Sequence, residues 1–360
     1  MVKKITVAGY FGFQNAGDEL ILESIINNVT KEIKDVQITV LSSNPVETAR
    51  SFNVSAVYRW NPISVVRAIK GCDLLICSGG LYQDITSSPS LYYYLILIVI
   101  ARMLFKKIIL YGVEFGPITY EFNKRILRII LKFVDKITVR SKGSFDFLKD
   151  TGINGNLILS GDPALNIFIK PINRYVSKKI NRIGMILRRP SSSVNEQILI
   201  LSQFCQSIIK RLDVELIFVP FHLEQDLYFS LEIIRNLDSK ANAVRWNNPG
   251  ELYNILSNVD FIISQRLHGL IIGAVLRIPI LGISNDPKFA NFMQELGQKH
   301  FLLPKVNIDI VVGVIQDIWY WQKEFNDRLE KTLPQLQYRA FLNTLNTIEL
   351  LGAKRYEEFC

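Results

Sequence analysis

The segment Arg266-Leu267-His268 places a permanent cation two residues from a titratable imidazole, just after an apolar run that predicts a buried strand. In open α/β sheets, ligands bind beyond the carboxyl ends of the strands, so both side chains can reach one small anion there. The chain has three histidines, and His222 follows a second apolar run, 216–219. We therefore expect a functional role for His268, whereas functional and structural roles stay equally open for His222.

Two more cations follow predicted strands. Arg140 ends the run 137–139, and Lys288 comes shortly after the run 278–281. Arginine binds carboxylate and phosphate groups through charge-assisted hydrogen bonds, each contributing about 1.5–3 kcal/mol. Separated cations at several strand ends therefore suit a ligand that carries both a carboxylate and a phosphate.

A glycine-rich segment, Gly9–Glu19, follows the first predicted strand and opens a helix. Free backbone N–H groups at such a helix start favour a polar or anionic ligand, and glycine lets the backbone approach it. The segment lacks the spacing of a dinucleotide-binding loop, and Asp18 and Glu19 would repel a phosphate. Two interpretations stay open: the carboxylates stabilise the helix start, or they contact sugar hydroxyls.

Apolar runs with the length of strands alternate with helical segments along the chain. This alternation predicts parallel sheets with helices on both faces, and 360 residues exceed the size of a usual single core. We therefore predict an α/β protein of two Rossmann-like, doubly wound domains facing a cleft. The predicted strands are 5–8, 38–41, 74–77, 108–111, 137–139, 183–186, 216–219, 261–263 and 278–281.

An internal echo supports two domains. Cys72–Ser78 and Val259–Ser264 share one pattern, in which an aspartate precedes an apolar strand that ends in serine. Each half would thus present a polar loop, 78–84 or 264–269, to the cleft. The predicted boundaries are 1–175 for an N-terminal domain with a basic surface, 176–345 for a C-terminal domain, and 346–360 for a tail.

The composition is that of a protein with a large core, because 49% of the residues are apolar and 21% are charged. Four cysteines are scattered without CxxC spacing, so we expect neither disulfides nor a zinc site. The first apolar run is too short for a secretory signal, which predicts a cytoplasmic protein. The most apolar stretch, Leu91–Phe105, is shorter than the roughly 18–20 residues that span a bilayer, so we expect a buried helix.

Positive charge is concentrated in the first half of the chain. The formal net charge is +9, and residues 1–175 carry 21 basic against 14 acidic residues. Nine basic and three acidic residues lie between Lys106 and Lys142, around a predicted amphipathic helix, 122–134. A solvated face and a peripheral contact with anionic membrane lipid, or with an anionic lipid-linked substrate, stay equally open. Nucleic acid is not expected as a partner, because no aromatic platform is interleaved with these charges.

Seven motifs occur in the order found in polysaccharide pyruvyl transferases, and the chain resembles that family, especially the CsaB type that modifies cell-wall polymer. The resemblance extends over most of the chain, and seven motifs in order are specific although each alone is weak. The family's usual triple glycine reads Ser78-Gly79-Gly80 here, and its usual aspartate after Thr-Val-Arg is Ser141. The motifs are Gly9–Glu19, Ser78–Asp84, Phe115–Ile118, Thr138–Ser141, Asp162–Ala164, Arg266–Gly269 and Gly282–Lys288.

The resemblance implies a fold similar to GT-B glycosyltransferases and an enzyme without metal or other cofactor, with phosphoenolpyruvate as co-substrate. The implied reaction moves the pyruvyl group onto two hydroxyls of a sugar in a cell-wall or exopolysaccharide precursor, forming a cyclic ketal. The C-terminal domain would be the donor side, with Arg140, Arg266, His268 and Lys288 holding the donor and Arg266 and His268 acting in catalysis. The residues expected to bind the acceptor are Asn15, Asp18, Glu19, Gly79, Gly80, Gln83 and Asp84.

Other functions share parts of this pattern. A nucleotide-sugar glycosyltransferase also needs cations for a diphosphate, and fold alone does not separate it from a pyruvyl transferase. The second half of the chain has no recognisable acidic pair for a nucleoside, which favours the pyruvyl transferase. A non-catalytic protein at a membrane surface would leave the segment 266–268 unexplained. The acceptor sugar, its attachment to a lipid, the carboxylate that acts as base and the oligomeric state stay open.

Overall fold

A computed structural model describes residues 2–80, 82–85, 88–169, 179–237, 240–284, 287–297, 300–301 and 308–353. The chain divides into two compact units. Unit 1 comprises Met1–Phe13, Asp18–Phe168 and Leu336–Cys360, and unit 2 comprises Gln14–Gly17 and Ile169–Gln335. Each unit contains one parallel β-sheet with helices in the crossover connections.

Unit 1 contains a seven-stranded sheet in the order β3-β2-β1-β4-β5-β6-β7. Its inner strands are apolar and largely buried because helices cover both faces of a parallel sheet, and all five residues of β4 are buried. The edge strands β3 and β7 have no buried residue. The strands are β1 (Lys3–Ala8), β2 (Val36–Ser42), β3 (Ser55–Tyr58), β4 (Leu74–Ser78), β5 (Lys107–Val113), β6 (Lys136–Val139) and β7 (Leu157–Leu159).

Six helices complete the crossovers of unit 1, and a short 3-10 helix, Pro163–Asn166, follows β7. Asn44, Asn61 and Ser141 cap three of the helices with side-chain oxygens that accept backbone N–H groups. The helices are α1 (Ala16–Glu32), α2 (Pro45–Phe52), α3 (Pro62–Gly71), α4 (Ser88–Met103), α5 (Glu121–Leu131) and α6 (Lys142–Asp150).

Unit 2 contains a six-stranded parallel sheet in the order β10-β9-β8-β11-β12-β13. The strands are β8 (Arg182–Ile186), β9 (Glu215–Phe218), β10 (Ala241–Ala243), β11 (Phe261–Ser264), β12 (Ile280–Ile283) and β13 (His300–Phe301). The helices are α7 (Val194–Leu212), α8 (Leu223–Arg235), α9 (Pro249–Ser257), α10 (Leu267–Val275), α11 (Pro287–Glu295) and α12 (Ile308–Tyr320). Helix α13 (Gln322–Leu351) begins in unit 2 and continues into unit 1 from Leu336.

The predicted α/β class with two doubly wound domains is confirmed. All nine predicted strands overlap observed strands. In both sheets the first three strands are added on one side and the later strands on the other side of the first strand, as in Rossmann-type folds. The four strands that the sequence did not predict are β3, β7, β10 and β13, which have two to four residues each. Each of the four lies at an edge of its sheet and pairs with a neighbour on one side, so it lacks the long apolar run of a central strand.

The compact units differ from the predicted boundaries at the C-terminal end. The prediction placed residues up to 345 in the second domain and 346–360 in a tail, whereas the division of the fold assigns residues from Leu336 onward to unit 1. The reason is the packing of α13, because Tyr111 of β5 and Thr344 share a hydroxyl hydrogen bond of 2.7 Å. The Nζ group of Lys3 also donates to the Leu351 carbonyl at 2.8 Å.

The internal echo in the sequence has a structural basis. Asp73 enters β4, and its carboxylate accepts the backbone N–H of Lys4 at 2.8 Å, while its own N–H bonds the Lys4 carbonyl. Asp260 enters β11 in the same way and accepts the N–H of Arg182 at 2.9 Å. Asp73 therefore holds the start of β4 against β1, and Asp260 holds the start of β11 against β8.

No helix within the described residues is long and apolar enough to cross a membrane. The apolar stretch 91–105 lies largely in α4, where Leu91, Tyr94 and Ile98 are buried, as predicted. Cys72, Cys77 and Cys205 are buried as free thiols, while Cys360 lies outside the described residues.

The contact between α13 and the loop after β7 leaves no room for a side chain at Gly161. A Cβ atom there would lie 2.8 Å from the Ala340 nitrogen and 3.1 Å from the Leu336 carbonyl oxygen. The Nδ2 group of Asn343 also donates to the Gly161 carbonyl at 3.1 Å. The helix is thus held against the backbone of unit 1 by a close approach that only glycine allows.

Replacing Gly161 by Ala is expected to lower the free energy of unfolding by about 1–3 kcal/mol, because α13 must shift to admit the methyl group. The measurement is the midpoint of urea denaturation, followed by circular dichroism. Gly155→Ala is the matched control, since a Cβ atom at Gly155 meets nothing within 4 Å. Equal midpoints for the two variants would contradict this packing.

Candidate functional site

Arg266 is held at the carboxyl end of β11 by a short turn. The hydroxyl of Ser264 accepts the N–H of Arg266 at 3.0 Å and donates to its carbonyl at 2.7 Å. Helix α10 begins directly afterwards with Leu267, which places His268 in its first turn. A Cβ atom at Gly269 would lie 2.4 Å from the Ser264 hydroxyl, so only glycine fits the fourth position of this segment.

A buried carboxylate fixes the guanidinium of Arg266. Asp226 of α8 is fully buried and accepts from Nη2 at 2.7 and 2.8 Å and from Nε at 3.1 Å. The same carboxylate accepts the backbone N–H groups of His222 at 2.9 Å and Arg189 at 3.1 Å. Asp226 therefore joins the segments that follow β8, β9 and β11. Its carboxylate contacts Nε and Nη2 of Arg266 but not Nη1.

His268 lies against the backbone of Gly17. A Cβ atom at Gly17 would be 2.3 Å from Nδ1 of the imidazole, so any larger residue would displace the ring. The segment Gln14–Gly17 is itself anchored in unit 2, because Ala16 donates its N–H to the Phe221 carbonyl at 2.7 Å and Asn15 forms a β-bridge with His222. The imidazole of His268 is thus packed on one side by peptide rather than by side chains.

His222 forms the N-cap position of α8, beside the ion pair. Burial lowers its pKa, the charge of Asp226 raises it, and the charge of Arg266 lowers it, with a net decrease. Its Nδ1 atom is buried and has no hydrogen-bond partner among the described residues. Burial therefore disfavours the protonated form of this imidazole.

The carboxyl edge of the unit 2 sheet is cationic. Arg188 and Arg189 follow β8 with exposed side chains, and the Arg188 N–H is held by Gln265 Oε1 at 2.9 Å. β8 and β11 are neighbours in the sheet, and the strand order reverses between them, which is where open α/β sheets bind ligands. Lys288 is the second residue of α11, and its side chain lies outside the described part of the chain.

Sequence reasoning missed Asp226, Arg188 and Arg189. The two arginines directly follow the strand 182–186 and met the criterion that selected Arg140, a cation just beyond a predicted strand. Asp226 gave a weaker signal, an acidic residue in the first turn of a helix, which more often stabilises the helix dipole.

In unit 1, Glu19 holds the glycine loop after β1. Its Oε1 atom accepts the N–H of Gly12 at 2.8 Å, and Gly12 has a positive φ of 76°. Burial raises the pKa of Glu19 to about 8, while the Gly12 bond lowers it and the charges of Asp18 and Glu47 raise it. Glu19 is therefore mostly protonated at pH 7 and turned into the fold, whereas the side chain of Asp18 is half-buried.

The same loop is fastened from the other side by Arg59. This buried guanidinium donates to the Gly9 carbonyl at 2.7 Å and to the hydroxyl of Tyr94 at 3.0 Å. It lies 4.5–5.5 Å from the ring centroids of Phe13, Trp60, Tyr93 and Tyr94. Such cation–π contacts are strongest away from water, so Arg59 is a structural cation.

Arg140 lies at the end of β6 between two carboxylates of unit 1. Nε donates to Glu114 at 3.0 Å and Nη1 donates to Asp162 at 2.6 Å. Burial acts to lower the pKa of Arg140, but Asp162, Glu114 and Asp18 outweigh it and raise the pKa. Nη2 faces the glycine loop after β4, where a Cβ atom at Gly80 would be 3.7 Å away.

The remaining predicted acceptor residues lie in the loop after β4. Gly79 has a φ of 112° and its carbonyl accepts the Glu114 N–H at 3.2 Å, which brings this loop to the end of β5. Gln83 packs against Gly116, where an added Cβ atom would lie 2.6 Å from the Cβ atom of Gln83.

Asp84 is saturated by hydrogen bonds. Its carboxylate accepts the N–H and hydroxyl of Thr119, the N–H of Tyr120 and the side-chain amide of Asn123 at 2.7–3.1 Å. Burial acts to raise the pKa of Asp84, but these bonds outweigh it and lower the pKa to about 2. This geometry argues for a structural role and against Asp84 as a general base.

Within the described residues, no group of three or more His, Cys, Asp or Glu side chains is arranged to hold a metal ion. Arginine side chains in this part of the chain can stabilise negative charge, and imidazole and carboxylate groups can transfer protons.

The two parallel sheets give the chain a fold that matches GT-B-like epimerases and glycosyltransferases. A putative UDP-N-acetylglucosamine 2-epimerase from Listeria monocytogenes has a TM-score of 0.67 and 12% identity, with 100% of both chains covered. A glycosyltransferase from Rickettsia africae has a TM-score of 0.62 and 13% identity over 97% of this chain and 99% of its own. At such low identity the likeness shows the fold alone.

The chain matches the sequence profile of polysaccharide pyruvyl transferases over residues 15–287. The match covers more than half of the chain, so the protein belongs to the polysaccharide pyruvyl transferase family. The matched segment contains Arg140, Arg266 and His268 and ends at Pro287. None of the curated proteins compared with the chain matches it significantly.

Replacing Asp226 by Asn is expected to lower the pKa of His222 further. The substitution removes the carboxylate that raises this pKa and keeps the Arg266 charge that lowers it. The measurement is an NMR titration of the imidazole Cε1–H signals, assigned with single His→Gln variants.

Asp213→Asn provides the control for this titration. The Asp213 carboxylate pairs with Lys179 at 2.8 Å on the exposed surface of unit 2 and is no cause of the His222 shift. This variant should leave the pKa of His222 unchanged. A pKa that rises or stays constant in Asp226→Asn would contradict the described ion pair.

Proposed function

We propose that this protein transfers the pyruvyl group of phosphoenolpyruvate to two hydroxyls of one sugar in a cell-wall or exopolysaccharide precursor, as enzymes of the CsaB type do. The observation that carries the proposal is the Arg266–Asp226 pair, which aims a guanidinium from the switch point of the unit 2 sheet. His268 lies two residues further on, at the start of α10. A cation and an imidazole in this arrangement suit a small anion that must also receive a proton.

The charge of the unit 2 edge supports phosphoenolpyruvate as donor. Arg188, Arg189 and Arg266 lie there, and the acid that touches Arg266, Asp226, is buried beneath it. The N-terminus of α10 adds the positive end of a helix dipole. A carboxylate and a phosphate on one molecule can each take a different cation of this edge. Arg140 and Lys288 stay predicted ligands of phosphoenolpyruvate. Arg140 would bind it through Nη2, because Nε and Nη1 bind Glu114 and Asp162.

His268 is proposed as the general acid. In its protonated form it delivers a proton to the methylene carbon of the donor, which becomes the methyl group of the product. The central carbon gains positive charge and is attacked by the first sugar hydroxyl, which loses its proton to a base. The C–O bond to phosphate then breaks with its electron pair on the phosphate, and the second hydroxyl closes the ketal and releases its proton.

Arg266 is proposed to stabilise the departing phosphate. Negative charge accumulates on that group as the bond breaks, and a guanidinium that is already oriented needs no rearrangement at that moment. The bidentate contact with Asp226 supplies this orientation. Asp226 neutralises the charge of Arg266, but Arg188 and Arg189 keep the carboxyl edge of the unit 2 sheet positive.

Asp18 is the best candidate for the base that takes the hydroxyl proton. Glu19 is mostly protonated at pH 7 and hydrogen-bonded to Gly12, and Asp84 is saturated with donors. Asp18 has a half-buried carboxylate whose charge acts on Arg140, and it directly follows Gly17 in the chain. Asn15, Gly79, Gly80 and Gln83 complete the proposed acceptor set.

Replacing His268 by Ala is expected to reduce kcat about 10²–10⁴-fold, because a general acid contributes about that much to the rate. The measurement is phosphate release from phosphoenolpyruvate with saturating acceptor. Gly17→Ala tests the position of the ring, since its methyl group would displace Nδ1, and it should lose activity while keeping the imidazole. Near-normal turnover in His268→Ala would rule out this assignment.

Asp18→Asn is expected to lower kcat at least about 10²-fold, because the amide takes no proton from the acceptor. Glu19→Gln should have a smaller effect at pH 7, because glutamine resembles the protonated acid and can still accept the Gly12 N–H. Phosphate release from both variants, measured side by side, decides between the two carboxylates. The opposite ranking would make Glu19 the base.

The experiment that tests the proposed function as a whole is phosphate release with a panel of free and lipid-linked sugar acceptors. Release that requires both an acceptor and Arg266 supports pyruvyl transfer, with Arg266→Ala as the inactive control. UDP-sugars in the same panel test the glycosyltransferase alternative. Turnover of a UDP-sugar, with phosphoenolpyruvate neither bound nor consumed, would replace the proposal by that alternative.

A further inference from the structure

Helix α5 of unit 1 has a second apolar stripe that the core does not cover. Its buried side carries Asn123, Leu127 and Leu131, and the two leucines belong to the core of unit 1. Phe122 and Ile129 are 66% and 58% exposed and lie seven residues apart, hence on one face of the helix. Phe133, in the turn after α5, continues this face and is also exposed.

Helix α4 adds a parallel stripe beside it. Ile96 and Met103 are exposed and also lie seven residues apart, and Phe105 in the following turn is 95% exposed. The hydroxyl of Tyr92 on α4 donates to Asn123 of α5 at 2.7 Å, so the two helices are direct neighbours. We call the exposed residues Ile96, Met103, Phe105, Phe122, Ile129 and Phe133 the α4–α5 face.

Basic side chains border this face. Arg125, Arg128 and Lys132 lie at helical spacing along α5, and Arg102 lies at the end of α4, all exposed. The acidic residue of α5, Glu121, pairs with Lys124 at 2.6 Å. Within the described part of the chain, none of the four bordering cations makes an ion pair. Glu121 also interacts with the charges of Arg125 and Arg128 at longer range, but the basic residues outnumber it. The face therefore combines exposed apolar groups with an excess of positive charge.

We propose that the α4–α5 face docks on an anionic lipid bilayer. Exposed apolar groups enter the boundary of the acyl chains, while arginine and lysine at their margin meet anionic headgroups. A second copy of this chain is a poorer occupant, because a two-fold interface would bring the four cations of one face against those of the other. The contact is peripheral, since no helix of the described residues is long and apolar enough to span a bilayer. This surface contains none of the residues proposed for pyruvyl transfer.

The test is co-sedimentation of the full-length protein with vesicles of pure phosphatidylcholine and of phosphatidylcholine with 30% phosphatidylglycerol. Binding is expected to the anionic vesicles, weakened by high salt, because exposed charges are screened. Arg125→Gln with Lys132→Gln should weaken it about thirty-fold, since each basic residue near an anionic surface contributes about 1 kcal/mol.

Removing the apolar groups tests whether the face enters the bilayer. Ile129→Ser with Phe133→Ser should weaken binding at least about ten-fold, because two apolar side chains that would be buried in the bilayer are lost. The matched control is Val46→Ser with Arg50→Gln on α2, an exposed apolar and an exposed basic residue of the same unit. The control should bind like the unchanged protein, and thermal melting shows that every variant is folded.

Several results would overturn the proposal. Absent binding, or equal binding to both kinds of vesicle, removes the role of the cations. Binding that depends on charge but not on Ile129 and Phe133 reduces the contact to adsorption. A dimer in sedimentation equilibrium that the α4–α5 face variants dissociate, together with unaltered vesicle binding, would make the face a protein interface. None of these results depends on whether phosphoenolpyruvate is the donor.

Discussion

The unit 2 site depends on the free energy of burying the Asp226 carboxylate. Removing a carboxylate from water costs several kcal/mol unless a cation and hydrogen-bond donors replace the lost hydration. Arg266, together with the backbone N–H groups of His222 and Arg189, supplies both. The ends of three strands and the start of α8 are thereby tied to one anion. Since loss of one partner of a buried pair costs about 3–5 kcal/mol, the orientation of Arg266 follows from the stability of the fold.

The carboxylates of unit 1 show how the same physical chemistry gives different charge states. Glu19 receives one N–H donor in a buried position, so burial prevails and raises its pKa to about 8. Asp84 receives four donors, so hydrogen bonding prevails and lowers its pKa to about 2. Asp18 lies next to Glu19 in sequence but keeps a half-buried side chain. Three acids that the sequence does not distinguish therefore differ in the structure. Glu19 is mostly protonated and holds the loop after β1, Asp84 is ionised and structural, and Asp18 is the candidate base.

Much of the fold could be predicted from the sequence because its determinants are local. Central strands have continuous apolar runs, and the aspartates Asp73 and Asp260 mark equivalent strands in the two sheets. Arg266 and His268 were predicted as candidates from their position after a strand. Their partners were not, because Asp226 is 40 residues away in the chain and Gly17 about 250, and a single sequence does not report which distant residues meet. The pairing of Arg140 with Glu114 and Asp162 was missed for the same reason.

Asp84 connects the glycine loop after β4 to helix α5. Thr119 and Tyr120, which donate to it, directly precede α5, and Asn123 lies in the first turn of the helix, where a carboxylate also complements the helix dipole. Asn123 in turn accepts the hydroxyl of Tyr92 on α4. One ionised carboxylate thus fixes the direction of α5, and the direction of α5 decides which of its two apolar stripes is buried. Rotating α5 to cover the other stripe would break the bond between Asn123 and Asp84 and expose Leu127 and Leu131, so the exposure of that stripe follows from the packing of unit 1.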